Sequence, residues 1–222
     1  MAFVRWDRAH VVAVGWLVLA CNDSGSAPPG PPSDLLVSGG DAQSWFFNNP
    51  LPAPLSVTVV DASGRAVRGV VVTWSVTSSG GAEGAVSPLQ STTDVSGVAS
   101  TTDSLGTSTR QTVNATFTGA PGPASFTEFA TSAPTAVDVG VTSFAFTPQD
   151  TLVQVGGMVT WTWNSGTALH NVTYTSGPTP LPANSPNQSG TATFSSTFTA
   201  AGTYTYHCTI HPQMTGLVRV LH

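Results

Sequence analysis

The 222-residue chain contains no lysine and few charged side chains of either sign. Six arginines stand against eleven acidic residues, which gives a formal net charge of -5 without any basic run or patch. Because nucleic acids are bound chiefly through clusters of Lys and Arg on phosphates, the composition argues against a nucleic-acid partner. Charges are sparsest after residue 132, where the charged side chains are Asp138, Asp150 and Arg219. Strong electrostatic steering of a partner is therefore not expected there.

After its first twenty residues the chain lacks the 3.6-residue apolar period of amphipathic helices. It has instead 22 glycines, 17 prolines and short alternating runs of Val, Thr and aromatic residues between turn-forming residues. This pattern predicts an all-β protein, and the length suits two β-sandwich domains in tandem. The predicted divisions are an export signal at 1–21, a tether at 22–34, a first domain at 35–132 and a second at 133–222.

A long apolar run occurs at the N-terminus, from Val11 to Ala20, after a start with two arginines. About ten apolar residues are too few to cross a bilayer, which takes roughly twenty, so the run indicates an export signal. Its end, Val18 to Cys21, resembles the lipobox of bacterial lipoproteins, which implies that Cys21 is acylated after cleavage. An ordinary cleaved signal with an incidental cysteine is the alternative.

The expected location follows from this lipoprotein resemblance. Asn22 follows the cysteine, and by analogy with lipoproteins this favours the outer membrane over the inner one. Lipid chains at Cys21 would hold the protein in the cell envelope, at the periplasmic side of the outer membrane or at the cell surface. Residues 22–34 are rich in Pro, Gly and Ser, which predicts an extended tether.

The motifs of the first domain mark turns and core positions rather than reactive side chains. The runs Val-x-Asp-Ala-x-Gly from Val59, Gly-Val-x-Val-x-Trp from Gly69 and Thr-Thr-Asp-x-x-Gly-x-Ala from Thr92 resemble the invasin/intimin-type bacterial immunoglobulin-like domain. Such motifs specify a fold more than an activity. The domain has no His and no Cys, and most of its acids fall at predicted turns: Asp61, Glu83, Asp94 and Asp103. It is predicted to be a spacer, with adhesion as the alternative.

Cysteine is the scarcest reactive residue, with two in the chain. If Cys21 is acylated, Cys208 has no partner for a disulfide. A free thiol in an exported protein is prone to oxidation, whereas metal ligation keeps the sulfur deprotonated and occupied. A buried, inert thiol is the alternative. His211 and Met214 follow Cys208 at ligand spacing and favour a metal.

The segment from Tyr204 to Met214 combines a strand end with a short loop. Alternation up to Cys208 predicts a strand, and an extended run resumes at Gly216. A thiolate, imidazoles and a distant thioether together suit copper, which must be held as both Cu(I) and Cu(II). The second imidazole is expected from His170, which begins a predicted strand that ends at Tyr174.

From Val137 to Leu221 the chain resembles the cupredoxins, the small blue copper proteins, with a copper loop most similar to that of amicyanin. The matching features are His170-Asn171, the Tyr-His-Cys strand end, Cys-x-x-His-x-x-Met and the strand from Gly216. The resemblance implies a single type 1 copper ion with these ligands: His170, Cys208, His211 and, more weakly, Met214. Simple core packing is the alternative for Met214 and for His170, whereas His207 is expected to face solvent.

The resemblance also implies roles for the neighbours of the ligands. Asn171, together with Thr209, would hydrogen-bond between the two ligand-bearing loops and so orient the ligands. Electrons would enter and leave at the exposed edge of His211, within an apolar surface that includes Pro212.

The predicted function is that of a type 1 blue copper protein that transfers single electrons between redox partner proteins. Oxidases and nitrite reductases with cupredoxin folds need further copper sites with several more histidines, typically in His-x-His pairs, and this sequence has none. We therefore expect no enzymatic activity and no small-molecule substrate. A copper carrier or sensor in the envelope, or a surface adhesion or spacer protein, is the alternative.

Overall fold

The computed structural model describes residues 28–222, and the regular elements in that range are all β-strands. The all-β prediction is thus confirmed for the part of the chain that the structure describes. The predicted export signal, Cys21 and the tether up to residue 27 lie outside the described residues. Between residues 28 and 222 there is no helix that could cross a membrane.

The first group of strands forms two sheets that face each other. Its strands are β1 Pro32–Gly39, β2 Ser44–Phe46, β3 Leu55–Asp61, β4 Val71–Ser78, β5 Ala85–Ser87, β6 Gln90–Thr92, β7 Val98–Ser104, β8 Arg110–Thr116 and β9 Ala124–Thr131. One sheet has the order β1-β3-β7-β5 and the other β2-β9-β8-β4-β6. Leu55 of the first sheet and Trp74 and Phe126 of the second belong to one buried apolar core, as expected of a β-sandwich.

The second group of strands forms another pair of sheets. Its strands are β10 Ala136–Thr142, β11 Ala145–Thr147, β12 Asp150–Gln154, β13 Met158–Trp163, β14 Thr173–Ser176, β15 Thr193–Thr197, β16 Gly202–His207 and β17 Thr215–Leu221. The sheet orders are β11-β10-β13-β15 and β12-β17-β16-β14. Trp161 of the first sheet and Tyr206 and Val218 of the second share a separate buried core. The predicted pair of β-sandwiches is therefore present.

The pairing of β14, β16 and β17 brings distant parts of the sequence to one end of the second sandwich. Strands β16 and β17 are antiparallel, so the loop of residues 208–214 joins them at that end. The first residue of β14, Thr173, pairs with the last residue of β16, His207. The residues just before Thr173 therefore lie next to those just after His207.

The alternating run from Asp138 to Phe146 predicts a single strand, and this prediction is wrong in one respect, because the segment forms a hairpin. Strands β10 and β11 pair with each other, and Ser143 and Phe144 form the two-residue turn between them. Phe144 has a φ of 66°, a conformation usually taken by Gly or Asn in turns. The turn carries neither residue, so the alternating pattern runs through it without interruption.

The predicted tether at 22–34 also needs correction at its C-terminal end. Strand β1 begins at Pro32, where the absence of a backbone N–H is tolerated. Gly30 already contacts the first sandwich, because its backbone N–H donates to Asp61 Oδ2 at 2.7 Å. The last residues of the predicted tether are therefore part of the folded structure.

The core of the first sandwich contains two fully buried carboxyl groups, Asp103 on β7 and Glu128 on β9. Asp103 was expected at a turn, but it lies within a strand and faces inward. The side chain of Gln111 donates to both carboxylate oxygens of Asp103, at 2.7 and 2.8 Å. Glu128 accepts a hydrogen bond from the backbone N–H of Gln43 at 2.7 Å, and its other oxygen has no partner. Burial raises the pKa of Asp103 to about 6 and that of Glu128 to about 7.

We predict that the stability of the first sandwich falls as the pH rises from about 4 to 7. A raised pKa means that the folded state holds a proton that the unfolded state has already lost. This stabilising contribution is complete below the ordinary carboxyl pKa and disappears as the pH rises through the folded-state values. Glu128→Gln removes the ionisation and should raise the free energy of unfolding at pH 7.5 by on the order of 2 kcal/mol.

Urea denaturation of wild type and variant at several pH values measures this effect. Glu83→Gln, which changes an exposed carboxyl in a loop, is the matched control and should leave the pH dependence unchanged. Equal pH dependence in wild type and Glu128→Gln would contradict the prediction.

Candidate metal centre

Cys208 is the first residue after β16 and is completely buried. The loop that follows it is held by its own backbone. The N–H of Cys208 donates to the carbonyl of Met214 at 2.9 Å, and the N–H of Met214 donates to the carbonyl of His211 at 2.8 Å. The N–H of His211 donates in turn to the carbonyl of Cys208 at 3.2 Å. These bonds fold the three residues of the Cys-x-x-His-x-x-Met motif into one tight turn.

His170 reaches the same place from the segment that precedes β14, the neighbour of β16 in the same sheet. It is completely buried and precedes β14, which begins at Thr173 and not at His170 as predicted. Its backbone exchanges two hydrogen bonds of 2.9 Å with Gln188, which forms an isolated bridge. The indole N–H of Trp163 donates to its carbonyl at 3.3 Å. Three backbone contacts thus fix the direction of the His170 side chain.

Three donor atoms converge between these two segments. Nδ1 of His170 and Nδ1 of His211 lie 3.1 Å apart. Cys208 Sγ lies 3.9 Å from the first and 3.7 Å from the second. Metal bonds of about 2.0 Å to nitrogen and 2.3 Å to sulfur place neighbouring donors of one ion roughly 3–4 Å apart. The separations in this structure therefore fit a single ion bound by all three atoms.

The protonation of His170 agrees with a ligand role. Burial, together with the nearby His211, lowers the pKa of His170. A neutral imidazole is the form that binds metals, because its free nitrogen lone pair is the donor. Among residues 28–222 this is the one group of three or more His, Cys, Asp or Glu residues close enough to hold an ion. A thiolate with two imidazoles is a soft donor set of the kind copper prefers.

Met214 is buried, with 2% of its surface exposed, and it packs in the same apolar core as Cys208. Its carbonyl accepts the hydrogen bond from the N–H of Cys208 that closes the loop. The backbone of the loop therefore places Met214 at the site, and its role as a weak fourth ligand stays a prediction.

Asn171 joins the two ligand-bearing segments through its side chain. Its Nδ2 donates to Thr209 Oγ1 at 2.7 Å, and its Oδ1 accepts from the backbone N–H of Thr209 at 2.9 Å. Its own backbone N–H points at Cys208 Sγ at 3.5 Å. Asn171 and Thr209 thus connect the two ligand-bearing segments, and their role in orienting the ligands stays a prediction.

The irregular segment between β14 and β15 forms hydrogen bonds with the residues that follow His170. Sequence patterns alone did not reveal these contacts. Asn187 Oδ1 accepts from Asn171 Nδ2 at 2.7 Å. Ser185 exchanges hydrogen bonds of 2.8 and 2.9 Å with the backbone of Val172. Several prolines in this segment indicated a loop, but no pattern in it pointed to Asn187 as a partner of Asn171.

His211 is only half buried, and the residues around it are apolar. Pro212 is exposed, and the neighbouring exposed apolar side chains in the two ligand-bearing loops are Ile210 and Leu169. His207 lies on the face of β16 opposite to the buried Tyr206 and is half exposed, as predicted. Of the three charged residues in this part of the chain, Asp150 and Arg219 form an exposed ion pair of 2.8 Å. The exposed edge of His211 is therefore next to apolar side chains.

Phe144 also lies at this surface, which no sequence pattern indicated. Its ring lies edge-on to the ring of His211, with centroids 4.8 Å apart and planes at 87°. It is also edge-on to His170, at 6.3 Å and 85°. The alternating sequence pattern predicts that Phe144 lies inside a continuous strand. Its position in a turn beside the two histidines was therefore not predicted.

Comparison with known proteins gives the same picture for the C-terminal part. Residues 133–221 match the family described as copper binding proteins of the plastocyanin/azurin family. The chain is 37% identical over 84 residues to amicyanin-alpha of Methylorubrum extorquens, which covers 37% of this chain and 70% of that protein. It is 38% identical over 86 residues to amicyanin of Paracoccus denitrificans, which covers 38% of this chain and 65% of that protein.

Among solved structures, a purple cupredoxin from Nitrosopumilus maritimus aligns at 26% identity with a TM-score of 0.35, covering 38% of this chain and 98% of its own. The family match spans the residues that carry the three donor atoms. Through residues 133–221 the chain belongs to the plastocyanin/azurin family of copper-binding proteins, the cupredoxins.

Proposed function

We propose that this protein is a one-electron carrier whose copper is held by His170, Cys208 and His211, with Met214 as a weak fourth ligand. The observation that carries the proposal is the convergence of two Nδ1 atoms and one Sγ within 3.1–3.9 Å of one another. When bound, copper supplies a one-electron couple between Cu(I) and Cu(II). The chain supplies a donor set that suits both states.

The surrounding structure resists movement of the donors. Backbone hydrogen bonds close the loop from Cys208 to Met214, and those between His170 and Gln188 fix the second segment. Asn171 ties the two together. A site that keeps its geometry when the oxidation state changes needs little reorganisation, which favours fast electron transfer.

We place the electron port at the exposed edge of His211 and at Pro212. His211 is the half-exposed member of the donor group, whereas His170 and Cys208 are fully buried. Pro212, Ile210 and Leu169 are exposed apolar side chains in the two ligand-bearing loops. A redox partner protein with an apolar, uncharged contact surface fits such a site, since a charged partner would find few counter-charges here.

A copper carrier or sensor with the same ligands is the second candidate, because the cradle of donors would serve binding alone. The two functions differ in electrochemical behaviour. A carrier of electrons gives reversible voltammetry with fast self-exchange, whereas sluggish and irreversible behaviour favours carriage of the metal. Catalysis is not proposed, because residues 28–222 contain no second group of three metal-binding side chains.

Copper loading of residues 22–222 tests the proposal directly. Addition of Cu(II) should give one copper per chain and intense blue absorption, because a thiolate bound to Cu(II) absorbs strongly in the visible region. Cys208→Ser should abolish the colour. His207→Ala is the matched control, since that histidine is adjacent in sequence but lies on the opposite face of the strand. Its colour should equal that of the wild type, and blue absorption that survives in Cys208→Ser would sink the proposal.

The port is tested by placing a charge on it. Pro212→Glu should slow electron self-exchange by about tenfold, because two copies would bring like charges together in an apolar contact. The NMR line widths of mixtures of oxidised and reduced protein report this rate. Thr203→Glu adds the same charge at the far end of β16 and should have little effect. Similar rates in both variants would contradict the port assignment.

We further propose that acylated Cys21 anchors the protein in the bacterial cell envelope and that residues 22–34 separate the anchor from the first sandwich, which serves as a spacer. The lipobox-like run from Val18 to Cys21 supports the anchor. The immunoglobulin-like motifs, the β-sandwich fold and the absence of His and Cys support the spacer.

Detergent-phase partitioning of the full chain expressed in a bacterium tests the anchor. Wild type and Cys208→Ser should enter the detergent phase, because both keep the acylated residue. Cys21→Ser should stay in the aqueous phase, since acyl chains contribute about 0.8 kcal/mol per buried methylene. Equal partitioning of all three proteins would exclude lipidation at Cys21.

A further inference from the structure

Phe144 has an unfavourable backbone conformation and an unfavourable environment. Its φ of 66° lies in the left-handed region, where a bulky side chain is strained. Its side chain is also 66% exposed, so its burial returns little free energy to the fold. Gly or Asn would suit this turn position better. A residue held at a strained position points to a role beyond folding.

The contacts of the Phe144 ring indicate what that role is. The ring lies edge-on to the imidazole of His211, in the arrangement that aromatic pairs prefer. It lies further from His170 but in the same edge-on orientation. His170 needs no such support, because it is fully buried and both its backbone N–H and its carbonyl are hydrogen-bonded to Gln188. His211 is half exposed and lies in a loop, so its side chain has room to turn toward solvent.

We propose that Phe144 is a positioning residue that braces the His211 imidazole from its solvent side. The ring occupies the space into which the imidazole would turn and keeps its Nδ1 directed at His170 Nδ1 and Cys208 Sγ. This inference rests on the proposed function, because the direction of His211 matters for copper binding.

Two variants of Phe144 and one control variant at another position separate bracing from a general effect on the fold. Phe144→Gly removes the ring and also relieves the backbone strain, so its apo form should melt no lower than the wild type. Phe144→Tyr keeps the edge-on ring and is the rescue variant. Met158→Ala, which truncates an exposed apolar side chain at the end of β13 opposite to Trp163, is the matched control.

Two measurements are made on each variant. In the apo protein, NMR couplings and relaxation report how far the His211 side chain populates one rotamer. In the copper-loaded protein, transfer of copper to an excess of chelator gives the release rate. For Phe144→Gly we expect several His211 rotamers and release about two- to tenfold faster, the range that one edge-on aromatic contact supports. Phe144→Tyr and Met158→Ala should stay within about twofold of the wild type.

The outcomes distinguish this inference from the proposed function. An unchanged His211 rotamer population in apo Phe144→Gly overturns the bracing role, as does release from Phe144→Tyr as fast as from Phe144→Gly. A clear fall in the melting temperature of Phe144→Gly also contradicts it, because the ring would then be stabilising the fold. If the wild type binds no copper, the proposed function fails, whereas the apo NMR comparison still decides whether Phe144 braces His211.

Discussion

The side chain of Asn171 makes hydrogen bonds of 2.7 and 2.9 Å to Thr209, and these join two segments that are 38 residues apart in sequence. One segment carries His170 and the other carries Cys208 and His211. Because Asn171 and Thr209 directly follow His170 and Cys208, any slip of one strand against the other would separate the donor atoms. The 3.1–3.9 Å spacing of the donors therefore depends on this amide. Asn187 completes it by accepting the other N–H of the same amide group at 2.7 Å.

Burial decreases across the site from Cys208 and His170 to His211. Cys208 lies in a core with large aromatic side chains and His170 is completely buried, so water is excluded and electrostatic interactions are strong. His211 reaches the surface among apolar residues. Charge is scarce in the whole second sandwich, and the exposed pair of Asp150 and Arg219 contributes little to stability or steering. Packing and hydrogen bonds of backbone and side chains, rather than ion pairs, hold the donors in position.

Local spacing predicted the parts of the site that lie within one loop. Cys208, His211 and Met214 are brought together by a turn of seven residues, and the choice of His170 followed from the small number of histidines. Side chains of a strand alternate between two faces, so the alternation of Val159, Trp161 and Trp163 predicts a strand from Met158 to Trp163. Strand β13 has these bounds. Both β-sandwiches could thus be expected from the sequence.

Contacts made by irregular segments could not be predicted in the same way. Phe144 lies in a turn that lacks Gly and Asn, so nothing interrupted the strand pattern around it. Asp103 and Glu128 are charged residues that face a core, against the usual preference of such side chains for the surface. Asn187 meets Asn171 only because a proline-rich loop folds back along the strand. Each of these depends on tertiary packing, which short sequence windows do not contain.

The most direct test is a crystal structure of the copper-loaded protein with anomalous scattering recorded at the copper edge. We expect one strong anomalous peak per chain, bonded to Nδ1 of His170, Nδ1 of His211 and Sγ of Cys208. A peak at His207 or His222 instead, or a copper ion bound without the cysteine sulfur, would contradict it.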